Sequence, residues 1–231
     1  MNAHFARIQA ATAVAAAGPL ADSRERPQFP RVAAESPFPP TAGKPQLLAR
    51  FREELETLTG KVYGPLDSQA AAQQVVALVK ARDVSRVLAW APDQLGCPGL
   101  AEALAGAGLG LVSGNVPNDP NHTTVLAALA EIEVGLSGAQ AALADTGSII
   151  LASGPGRPRN ASLLPPLHIA VVPVAELYPT MQDWLAAGGA ELAKSTANLV
   201  VVTGSSRTSD IELQLTLGMH GPIELHVVLV E

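Results

Sequence analysis

Val227-Val228-Leu229-Val230 is a run of four aliphatic residues with no polar residue between them. A strand with one face in water alternates apolar and polar side chains, so an unbroken run of this kind reads as a strand covered on both faces. Leu199-Val200-Val201-Val202 has the same character, and Ser148-Ile149-Ile150-Leu151-Ala152 and His168-Ile169-Ala170-Val171-Val172-Pro173 extend the pattern. Strands of that type need helices above and below them, which predicts a three-layer α/β domain with a mainly parallel sheet.

The flanking segments carry the helices. Leu47, Leu48, Phe51, Leu55 and Leu58 recur every three to four residues and make one apolar helical face, which Gly60 closes. Beyond it the pattern alternates: strand 62–63, helix 68–81, strand 86–90, helix 99–105 and strand 109–112. A polar loop over 115–121 leads to helix 125–129, strand 131–136 and helix 138–143. Strands 148–152 and 168–173, helix 180–187, strand 199–203, a short helix 210–217 and strand 225–230 complete the reading. Upstream, residues 1–17 have helical spacing, and six prolines between 27 and 45 make residues 18–45 an extended arm. The organisation is therefore a helix and proline-rich arm over 1–45 and an α/β domain over 46–231.

Composition narrows the function classes. The 231 residues carry a formal net charge of −6 without a basic stripe, which argues against phosphate neutralisation and hence against a nucleic-acid partner. The one cysteine, Cys97, excludes an internal disulfide, a four-cysteine zinc site or an iron–sulfur cluster held by this chain alone. No metal site and no bound cofactor are expected. The Ala-rich residues 10–18 read as no secretory leader, and no stretch reaches 18 apolar residues, so the expectation is a cytoplasmic protein without a membrane span.

Three segments could carry chemistry. In Val202-Thr203-Gly204-Ser205-Ser206-Arg207-Thr208-Ser209-Asp210-Ile211-Glu212 a strand empties into a hydroxyl-rich loop, and Ser209 with Glu212 reads as a capping box opening a helix. The amides and positive dipole of that helix, with Arg207 and the hydroxyls of Ser205, Ser206 and Thr208, would suit a carboxylate or phosphate, or they would simply cap the helix. Ala144-Asp145-Thr146-Gly147-Ser148 enters an apolar strand, where Gly147 suits a positive φ or a close backbone approach to a ligand, or an ordinary turn. His168 opens a buried strand and His220 sits between Gly218 and Gly221; each is a candidate general base, against structural roles as a satisfied core histidine and a helix cap. The string Gly106, Gly108, Gly110 precedes a strand and is no dinucleotide fingerprint.

Taken in order, the Asp145 block, Arg159 to Ser162, Leu164-Pro165-Pro166-Leu167-His168-Ile169, the Gly204–Glu212 block and Gly218-Met219-His220-Gly221-Pro222 resemble the LUD-domain family, in its lactate-utilisation protein C group. The resemblance implies a fold similar to the glucosamine-6-phosphate isomerase, ribose-5-phosphate isomerase and CoA-transferase group. It also implies a role beside iron–sulfur partner proteins in oxidising L-lactate to pyruvate. Ligands of that fold group bind at the carboxyl ends of sheet strands, which is where the Gly204–Asp210 loop should lie. Two readings stay open: a non-redox component with a small carboxylate or phosphate pocket at Thr146, Gly147, Gly204, Ser205, Ser206, Arg207 and Thr208, or a stand-alone isomerase-like or transferase-like enzyme acting on a phosphorylated, CoA or folate-type substrate. In the second, Asp145, His168, Asp210 and His220 would be the acid and base groups.

Overall fold

A computed structural model describes residues 37–39, 43–209, 215–217 and 220–231. The helix expected over 1–17 and the arm up to residue 36 lie outside the described residues. Within the arm, Phe38 packs against the core.

Lys44–Thr57 forms the first helix, α1. Its start carries Pro45, whose missing N–H costs nothing in a first turn. Leu47, Phe51 and Leu55 are buried on one face, and a leucine or phenylalanine removed from water contributes about 1.5–3 kcal/mol. On the solvent face Arg50 pairs with Glu53 and Glu54, and Arg52 with Glu56. The chain leaves the helix with the Gly60 amide donating to the Leu55 carbonyl at 2.9 Å.

The alternation then runs β1 (Lys61–Leu66), α2 (Ser68–Lys80), β2 (Arg86–Ala89), α3 (Leu100–Gly106), β3 (Gly110–Ser113), α4 (His122–Ala130) and β4 (Val134–Gly138). It continues with β5 (Ala141–Leu143), β6 (Ser148–Ala152), β7 (Leu167–Pro173), β8 (Leu177–Tyr178), α5 (Met181–Trp184) and α6 (Ala190–Ser195). The last elements are β9 (Leu199–Val202), β10 (Arg207–Ser209), β11 (Leu215–Leu217) and β12 (Glu224–Val230). Asp67 caps α2, accepting from the Ala70 amide at 2.8 Å. Asp67→Ala is expected to lower stability by about 1 kcal/mol, the usual worth of such a cap, read as a shift in the urea midpoint at unchanged slope.

Six strands form the central sheet in the order β1-β12-β7-β4-β2-β3, every neighbouring pair parallel, and helices pack on both sides of it. The mainly parallel α/β expectation holds. Val227 and Val228 are fully buried in β12, as are Val171 and Val172 in β7, so these aliphatic runs do mark strands covered on both faces. A second sheet, β8-β5-β6-β9, stands beside the first, with β6 antiparallel to both β5 and β9.

Four expectations are corrected. Residues 138–143 are not a helix: Gly138 ends β4, and Ala141–Leu143 pairs with β6 and β8, all three side chains buried. Alanine is the best helix former, but propensity amounts to under about 1 kcal/mol per residue, and burial of the segment between two strands outweighs it. Leu199–Val202 is an edge strand of the second sheet, with Val201 43% exposed, and is not covered on both faces. Of the helix expected over 210–217, residues 210–214 lie outside the described residues, and Leu215–Leu217 is a strand that pairs antiparallel with Arg207–Ser209. Ile211, Leu213, Leu215 and Leu217 alternate with polar residues, the period of a strand, and that signal outranks the capping-box spelling. The helix expected over 180–187 starts at Met181, is broken by a kink at Gly188 (φ +119°), and resumes at Ala190. Among the described residues, no helix is long and apolar enough to cross a membrane.

Candidate functional site

The antiparallel register of β6 and β9 decides what meets at the site. Ile149 lies opposite Val202, so the next residue on each strand, Ser148 and Thr203, face each other at the strand ends. Their hydroxyls are 2.8 Å apart. Ser148 Oγ is also 2.8 Å from Thr146 Oγ1, which donates to Asp145 Oδ1 at 3.3 Å. One chain of hydroxyls therefore joins the Asp145 turn to the serine loop. The loop continues against α1: Ser205 is buried and its Oγ accepts from Thr59 Oγ1 at 3.4 Å, while the Ser206 amide donates to the Pro222 carbonyl at 2.8 Å. Gly204 passes beside Leu58.

Gly147 has φ +63°, the left-handed value the sequence suggested, but what approaches its backbone is the protein itself. A Cβ there would stand 2.4 Å from the Leu55 nitrogen of α1. Burial holds the Asp145 carboxyl above its ordinary range, and the negative charge of Asp183 pushes it the same way. Asp183 is itself fixed by Thr180, whose hydroxyl donates to Asp183 Oδ2 at 2.6 Å and accepts from its amide.

The other candidates are placed as follows. Arg207 and Thr208 are positions of β10, and Ser209 pairs with Leu215, so no helix amides or dipole follow the loop at this point. Asp210 lies outside the described residues. His220 is exposed. His168 is wholly buried in β7, its Nε2 2.8 Å from Ser137 Oγ on the neighbouring β4 and its Nδ1 without a hydrogen-bond partner among the described residues. Burial lowers its pKa to about 4. No hydrogen bond or ion pair links His168 to Asp145 or to residues 203–206. The loop also does not lie at the carboxyl end of a central strand, because β9 belongs to the second sheet.

At the carboxyl ends of β4 and β7 the structure instead assembles Gln140, Glu176, Tyr178 and Trp184 around a cavity of about 480 Å³. No motif singled these residues out; each stands alone in the sequence. Among the described residues, no group of three metal-binding side chains occurs.

A family model described as the LUD domain matches residues 48–230. An uncharacterised protein of Neisseria meningitidis is 36% identical over 99 residues, 42% of this chain and 42% of that protein. The lactate utilization protein C of Halalkalibacterium halodurans is 36% identical over 106 residues, 44% of this chain and 45% of that protein. Its counterpart in Bacillus subtilis is 32% identical over 103 residues, 43% of each. Each matched stretch spans less than half of the relative's length. Among solved structures, a crystal structure of a DUF162 family protein from Deinococcus radiodurans has a TM-score of 0.55 at 22% identity, covering 82% of this chain and 99% of that one, a likeness of fold.

Proposed function

Because the chain belongs to the LUD-domain family, whose model matches residues 48–230, we propose that it serves lactate utilisation as a cytoplasmic component without a redox centre of its own, holding a small carboxylate or phosphate while iron–sulfur partners oxidise L-lactate to pyruvate. The observation that carries the ligand side is the hydroxyl chain Thr146–Ser148–Thr203, which unites two segments far apart in sequence. Hydroxyls that can turn either way donate readily to an oxyanion. Arg207, four residues past Thr203, is the proposed clamp, since a guanidinium pairs with a carboxylate through two parallel hydrogen bonds. The likeness to lactate utilization protein C in several organisms supports the pathway. A single thiol, Cys97, supports leaving the electron-transfer centres to partners, since a cluster takes several thiolates.

The stand-alone enzyme reading needs Asp145, His168, Arg207, Asp210 and His220 to converge on one pocket. A buried His168 that bonds Ser137 favours the component reading instead.

Calorimetry with L-lactate, pyruvate and inorganic phosphate tests the pocket. Thr203→Val and Arg207→Ala are each expected to weaken binding about tenfold, equal to the loss of one good hydrogen bond to a charged group. Equal affinity in wild type and both variants, or no binding, sinks the pocket. Affinity capture of the tagged chain from lactate-grown cells tests the role: cysteine-rich partners should be retained, and their absence counts against a shared system.

A further inference from the structure

The central sheet has two edges, β1 and β3, and they are built differently. An edge strand is a template for another chain, and proteins block it with Lys, Pro, bulges or covering side chains. β1 has all of these. Lys61 and Pro65 lie in it, its register slips between Tyr63 and Leu66, and the Arg52 guanidinium donates to the carbonyls of Val62 and Gly64. β3, at the other edge, reads Gly110-Leu111-Val112-Ser113 and stays in step with β2 along its whole length, with no charged residue and no proline. Leu111 and Val112 are only half-buried. Among the described residues, no strand lies on its outer side.

α4, which carries the chain from β3 back to β4, is thinly supported in the same region. A helix of 9 residues is marginal alone in water, so packing has to hold it. Yet Leu129 is its one buried residue, Asn121 at its cap makes no side-chain hydrogen bond, and with no charged residue the helix has no ion pair along its length. Leu126 is 40% exposed, and Ala130 stands one turn further along the same exposed side. From Ala103 to Ala130 the single charged residue is Asp119, in a chain of which 16% is charged. Depletion of charge is what distinguishes the centre of a protein–protein contact from the rest of a surface.

Charge also selects the partner. The chain carries −6, so two copies repel one another over most of their surface. At β3 and α4 they can meet without like charges opposed, and an uncharged face offers a strongly charged partner nothing to pair with. An edge strand matches its own copy in antiparallel pairing about a two-fold axis normal to the sheet. That axis keeps each face of the sheet on its own side, so α4 of one copy comes to the same side as α4 of the other. Four residues of strand make a small contact, and the helices add to it.

We propose that two copies of this chain join edge to edge, β3 against β3, into one continuous sheet flanked by their α4 helices. Sedimentation equilibrium of the full chain should move from the mass of one chain toward that of two as concentration rises through roughly 1–100 μM, the range of a small contact. Added salt should strengthen the association, since it screens the repulsion between two acidic copies. Hydrogen exchange at low and high concentration locates the contact: the amides of β3 and α4 should slow as concentration rises, and those of β1 should not. Leu126→Glu and Ser113→Lys, each placing a charge at an exposed position, should weaken association about tenfold or more and leave the urea midpoint unchanged. The proposal is overturned by the mass of one chain at every concentration, by salt that weakens the pair, by a dimer whose exchange slows elsewhere, or by variants that associate as the wild type does. Slow exchange of β3 and α4 that is the same at every concentration also overturns it, because another part of the chain would then lie on that face. The mass and exchange measurements use the wild type alone, so they stand even where a variant folds poorly.

Discussion

Gly147→Ala is expected to lower the melting temperature by on the order of 10 °C. Two costs combine. The residue sits at φ +63°, where a side chain adds about 1 kcal/mol. The new methyl would also stand 2.4 Å from the Leu55 nitrogen and 2.8 Å from its Cα. Both are backbone atoms in the last turn of α1, so that end of the helix or the whole turn must shift, typically a further 1–3 kcal/mol. The shift moves Thr146 with it and breaks the hydroxyl chain through Ser148 to Thr203. Ligand affinity and stability should therefore fall together in this variant, whereas Thr203→Val should lose affinity with little loss of stability. Differential scanning calorimetry checks the first; a Gly147→Ala protein melting within a degree or two of wild type would show that α1 does not press on this turn.

Acid sensitivity is the second large expectation. His168 is wholly buried, and desolvation alone lowers its pKa from 6.5 to about 4. Between those values the unfolded chain binds a proton at this position and the folded chain does not, so stability falls as pH falls through the window and is level above it. Complete loss amounts to roughly 3 kcal/mol, at about 1.4 kcal/mol for each pH unit. His226, buried in β12 and lowered to about 4 by burial and then by the charge of Lys61, adds a loss of the same sign. Glu224 opposes that shift from 3.5 Å away. Urea unfolding from pH 7 to pH 4 should show the decline. His168→Gln, which does not titrate and still offers Ser137 a partner, should flatten it. An unchanged slope in that variant would mean that His168 takes up its proton in the folded state.

How much was legible follows from which signals are local. The helix at Lys44–Thr57 was readable because Leu47, Phe51 and Leu55 sit one turn apart, and periodicity is a property of consecutive residues. The central strands β7 and β12 were readable for a similar reason: a strand covered on both faces carries few polar residues along its run. The hairpin at β10 and β11 was also written locally, in the alternation from Ile211 to Leu217, but a capping-box spelling at Ser209 and Glu212 competed with it. Leu199–Val202 has the same composition as the buried runs and yet forms an edge, because nothing within four aliphatic residues states which strand will lie beside them.

The candidate sites divide along the same line. Sequence by itself identified the hydroxyl-rich segments around Thr146 and Thr203, the demand for a left-handed glycine at 147, the lone thiol and the α/β class, since backbone conformation, period and composition act over a few residues. Only the tertiary structure decided that Ser148 and Thr203 touch, that Gly147 yields to a helix and not to a ligand, that His168 is sealed in the core, and that Glu176, Tyr178 and Trp184 share a cavity. Those outcomes depend on which strands pair and in what register. Pairing is settled by the burial of apolar surface over the whole chain, a sum to which no single segment holds the key.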